Sequence, residues 1–105
     1  MAPTPLEIQF HNEMVAIYDA AKPLGYQASY FRQMVFDRGG VETAHDLMAS
    51  STVSDGFRTL QGLGHLELSV EVHVIKPEYE PLFSSTEIAT ARRRLERAGY
   101  TGAGS

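Results

Sequence analysis

Two adjacent glycines, Gly39 and Gly40, interrupt an otherwise helical pattern and mark where the chain must turn. Before them Phe31, Met34 and Val35 fall at i, i+3 and i+4, and after them Val41, Ala44, Leu47 and Met48 resume helical spacing. Only glycine enters the left-handed backbone region without a Cβ penalty, so one of the pair is expected to end the first helix and reverse the chain. Arg38 then lies at the negative end of one helix dipole and Glu42 at the positive end of the next. Residues 29–48 therefore predict a helical hairpin on which the other helices bury their apolar stripes.

The remaining helices follow from periodicity and caps. Residues 1–5 hold two prolines and no apolar repeat, which predicts a flexible lead-in, with a flexible tail at 101–105 and a single domain over 6–100. Phe10, Met14, Ile17, Tyr18 and Ala21 share one face of a first helix that ends near Lys22-Pro23. Ser54 or Asp55 caps a short helix that turns Phe57, Leu60 and Leu63 inward and stops at Gly62 or Gly64. The clearest start signal is Ser84 at N-cap with Glu87 three residues on, and Phe83 opposite Ile88 as a staple. Ile88, Ala91, Leu95 and Ala98 form the buried line of that helix, its arginines lie mostly outside, and Gly99 ends it.

Residues 65–75 are ambiguous, because Leu66, Leu68, Val70, Val72 and Val74 alternate as a half-buried strand does. A lone strand leaves its backbone groups unpaired, and the chain offers no second strand to pair with it. A short helix from Val70 to Ile75, capped by Ser69 and ended by Lys76-Pro77, is the preferred reading. Antiparallel pairing across a dimer is how the strand would form instead. The fold class is then all-α, a compact bundle of about five to six short helices, with an α+β arrangement as the alternative.

Composition bounds the function. The chain has 105 residues, 43% of them apolar, which suits one ordered domain. It has no cysteine, which excludes thiolate chemistry and Cys-ligated zinc and fits a cytoplasmic setting. No run approaches the roughly 18 apolar residues of a membrane span, so no membrane partner is expected. His11, His45, His65 and His73 fit no dense ligand spacing, and no phosphate-binding or nucleophile-elbow motif occurs. Neither cofactor, metal nor catalytic residue is assigned. A net charge of −4 opposes general nucleic-acid binding, and Glu42 and Asp46 would present acids to phosphate if the hairpin entered a groove.

The charge is polarised, however. From Ser84 onward four arginines face two acids, whereas the rest of the chain carries five basic and eleven acidic residues. Arg92, Arg93 and Arg97 are thus candidates to meet an acidic partner. Tyr30 and Phe36 flank the inward stripe of their helix and are further candidates for a partner surface, as is His65.

The order of motifs is distinctive. Tyr30-Phe31 with Gln33-Met34, Gly39-Gly40 with Glu42-Thr43-Ala44, and Ser54-Asp55-Gly56-Phe57 are followed by Lys76-Pro77-Glu78-Tyr79 and by Ala91-Arg92 with Arg94-Leu95. This order resembles that of a group of short, uncharacterised bacterial proteins and appended domains, in which an arginine is common where His65 stands. The resemblance implies one compact domain and supplies no catalytic residues. The leading expectation is a non-catalytic protein-interaction or adaptor domain, with a homodimer through residues 66–75 as one form of it. A nucleic-acid-associated regulatory or defence accessory using the basic C-terminal helix is the alternative. A small enzyme centred on His65, His73 and Glu71 is the third reading.

Overall fold

Pro5 opens the first helix because its missing N–H is no loss at that position and its fixed φ already suits a helix. The computed structural model describes residues 3–26 and 29–100. In it Thr4 caps α1 (Pro5–Ala21), accepting from the Glu7 amide while the Glu7 carboxylate accepts from the Thr4 amide. Residues 4 and 5, expected in the lead-in, are thus the cap and first residue of a helix. The signal was a Thr-x-x-Glu box of the kind read correctly at Ser84. Residues 1–2 and 101–105, expected to be flexible, lie outside the described residues.

After a 3-10 turn at Lys22–Leu24 come α2 (Ser29–Arg38) and α3 (Gly40–Ala49), joined by Gly39 alone. The two glycines do different work. Gly39 has φ +86° and ψ 156°, a region essentially reserved for glycine, and nothing lies within 4 Å of where its Cβ would be. Gly40 is where α3 meets α1, and a Cβ there would lie 2.6 Å from the His11 Cα. The Gly40 N–H donates to His11 Nδ1 at 2.9 Å, so a side chain from α1 caps a helix whose own N-cap has none to offer.

Ser54 caps α4 (Asp55–Leu63), which ends at Gly64, with the His65 amide returning to the Leu60 carbonyl. A 3-10 turn at Leu66–Leu68 leads to α5 (Val70–Val74), capped by Ser69, and a second one at Pro77–Leu82 leads to α6 (Ser85–Arg97). The all-α reading holds. The strand alternative at 65–75 does not form, because Ser69 supplies a helix cap and Leu66, Val70 and Val74 bury within the same chain, so the segment presents no strand for cross-dimer pairing. Among the described residues no helix is long and apolar enough to cross a membrane.

The main core gathers Phe10, Met14 and Ile17 of α1 with Val35, Ala44, Met48, Val70, Val74, Tyr79, Phe83 and Ala91. Phe10 sits edge-on between the rings of Tyr79 and Phe83, at 4.9 and 5.2 Å. A smaller core joins Phe57, Leu66 and Leu95, and Tyr100 folds onto it after Gly99, its amide donating to the Leu95 carbonyl. Two expectations about facing fail. Leu63, the last residue of α4, is 40% exposed, and Arg94, expected outside, is buried.

Candidate functional site

Arg94 organises the centre of the molecule. It projects inward from α6, and Nη1 donates to Glu71 Oε2 of α5 at 3.1 Å and to the Leu47 carbonyl at 3.0 Å. Nη2 donates to the Ser50 carbonyl at 2.6 Å. One guanidinium therefore satisfies a buried carboxylate and the carbonyl end of α3 together. Burial pushes the Glu71 carboxyl above the ordinary range, and its bond to Arg94 only partly opposes this.

Half of the other lysines and arginines are also partnered. Arg38 pairs with Asp46 and lies within reach of Glu42, Lys76 pairs with Glu13 at 2.9 Å, and Lys22 and Arg32 lie over the Tyr18 ring at 5.5 and 5.3 Å. Arg58, Arg92, Arg93 and Arg97 are exposed and have no acidic partner among the described residues. All of them lie on α4 or α6.

Three of these arginines converge. Arg58 from α4 and Arg93 and Arg97 from α6 line a groove of about 570 Å³, together with Gln61, Thr90 and residues 48–53. Arg92 is exposed on the same helix but does not line it. Arg58 was missed in the sequence because α4 carries no basic run. The helical spacing that turns Phe57 and Leu60 inward leaves position 58 outside, and that was the available signal.

A second depression, a cavity of about 420 Å³, is also lined by residues of the 50–54 segment. Phe31, Met34, Leu47, Val53 and Leu68 line it, and each is only half-buried. Tyr30 lines it while 80% exposed, and Asp55 and Glu71 supply its acidic groups. Its size is within the roughly 300–1,000 Å³ of ligand pockets. Ser50, Thr52, Val53 and Phe57 line both depressions. Phe36, also 80% exposed, and His65, held by Glu67 at 2.8 Å, line neither.

The other polar clusters tie helices together. Tyr79 donates to Glu13, and burial together with that bond pushes the phenol up to about 12. Burial raises the Glu13 carboxyl, but Tyr79 and Lys76 outweigh it and hold it below its ordinary value. Glu87 is likewise held low against burial by His45 and by the Ser84 amide, so the capping carboxylate of α6 also anchors α3. His73 is buried, which lowers its pKa, and its Nδ1 bonds to the Ser69 carbonyl. His65, His73 and Glu71 thus each hold a different partner, and neither depression is lined by more than one of them. Among the described residues no group of three or more His, Asp or Glu side chains is placed to hold a metal ion. No family model, curated protein or solved structure gives a match to this chain.

Proposed function

We propose that this protein is a non-catalytic protein-interaction domain that docks an acidic segment of its partner in the groove between α4 and α6. The observation that carries the reading is the sorting of cations. Apart from Arg92, basic side chains elsewhere among the described residues are neutralised or stacked, whereas Arg58, Arg93 and Arg97 surround one groove without a counter-charge. Their mutual repulsion is relieved when carboxylates enter, and their field steers such a partner on approach. Arg92 extends the basic face. The net charge of −4 opposes a nucleic-acid backbone, which needs a broad cationic surface, whereas a short acidic segment need only reach the one basic groove. The motif order that resembles short bacterial proteins points to a bacterial cytoplasm as the setting. A homodimer through residues 66–75 is not part of the proposal, since Leu66, Val70 and Val74 of that segment are spent on its own core.

The test is fluorescence anisotropy with a labelled peptide of glutamate and glycine residues, and separately with a labelled DNA duplex, at low and at physiological salt. Salt-sensitive binding of the peptide, lost in the triple variant Arg58→Glu, Arg93→Glu, Arg97→Glu, is expected. Binding of the duplex in preference to the peptide would replace the reading with the nucleic-acid one, and binding of neither would overturn it.

A further inference from the structure

Resting on that docking reading, we propose that the basic groove and the apolar cavity are two halves of one site. Its partner is an acidic peptide segment carrying one bulky apolar anchor residue. Ser50, Thr52, Val53 and Phe57 belong to both walls, so an extended chain that crosses residues 50–54 reaches the two halves in succession. The halves differ in chemistry. The cavity offers half-buried Phe31, Met34 and Leu68, whose remaining exposed surface an apolar side chain would cover.

Electrostatics sets the direction in which the segment lies. Asp55 and Glu71 line the cavity, and the one cation near Glu71 is Arg94, already committed to that carboxylate and to two carbonyls. Acidic groups are therefore turned away from the cavity and toward Arg58, Arg93 and Arg97, while an uncharged anchor is accepted. Arg94 also holds the shared wall in place, through the Ser50 carbonyl, so the two halves are preorganised before a partner arrives. Tyr30, at 80% exposure, lines the cavity on α2 and is placed to fold over an occupant. That gives one of the aromatic candidates a role that Phe36, away from both depressions, does not share.

The experiment compares the acidic peptide with the same peptide carrying a single Phe, attached through glycine spacers of graded length. At the best spacer the Phe peptide is expected to bind at least about tenfold more tightly, the effect of burying one large apolar side chain. The gain should disappear in Met34→Glu and in Tyr30→Glu, the second being an exposed position that the fold tolerates. Equal binding of the two peptides at every spacer would overturn the anchor and leave the basic groove standing. A gain that survives both variants would place the anchor elsewhere and also overturn the proposal. Loss of all peptide binding would remove the docking reading and the anchor with it.

Discussion

Glu71→Ala is expected to lower the unfolding free energy by about 3–5 kcal/mol, because it strands the Arg94 guanidinium in the interior without its carboxylate. Against the roughly 5–15 kcal/mol that keeps an ordinary domain folded, such a loss brings the variant close to unfolding. Arg94→Ala should cost at least as much at neutral pH, since it also releases the Leu47 and Ser50 carbonyls at the end of α3. The two variants separate on acidification. The pKa of Glu71 is raised by burial, so in the window above the ordinary carboxylate value the folded state holds a proton that the unfolded chain releases. That contribution favours folding as pH falls through the window and is lost as pH rises. Removing Arg94 removes part of what opposes the rise, so the stability gap between Arg94→Ala and the parent should narrow as the pH falls from neutral. Glu71→Ala has no such carboxylate to protonate, and its gap should not narrow for this reason. Urea unfolding of the three chains at neutral and acidic pH checks both statements.

The second large effect is expected at Gly40. A Cβ would lie 3.1 Å from the Met14 Cγ and only 2.6 Å from the His11 Cα, which is backbone and has no rotamer to escape into. Gly40→Ala should therefore push α1 and α3 apart, at a cost of about 1–3 kcal/mol, and weaken the His11 cap on the same amide. Gly39→Ala should also destabilise, by a comparable 1–3 kcal/mol or so, but through its positive φ alone. D-Alanine distinguishes the causes. Installed by chemical ligation at position 39, it accepts positive φ in open space and should recover most of the loss. At position 40, where φ is not positive, D-alanine moves the methyl off His11 but brings its own strain in a right-handed helix, so it should fall well short of full recovery. Thermal unfolding of the four chains gives the comparison.

Much of this fold was legible because local signals agreed with one another. The hairpin followed from helical spacing on both sides of Gly39-Gly40, and α6 from the Ser84–Glu87 box with Gly99 at its far end. The segment 65–75 was harder, since alternating valines suit a strand and only the Ser69 cap and the want of a pairing strand favoured a helix. Arg94 was misplaced for a physical reason. Among neighbouring arginines the helical period leaves it beside Ala91 and Leu95, but a charge belongs on that face only if a buried carboxylate waits there, and Glu71 is distant in sequence. The site was legible in part. Arg93 and Arg97 stood out as a basic run, but Arg58 and the shared wall at residues 50–53 depend on how α4 packs beside α6, which no local pattern specifies.

The claim that the groove between α4 and α6 is a docking face is tested most directly by amide chemical-shift mapping while the acidic peptide is titrated into the protein. The account predicts perturbations confined to residues 48–53, to Arg58 and Gln61, and to the stretch of α6 from Thr90 to Arg97. Shifts centred instead on α1 and on the Pro77–Leu82 turn, or none anywhere at saturating peptide, would contradict it.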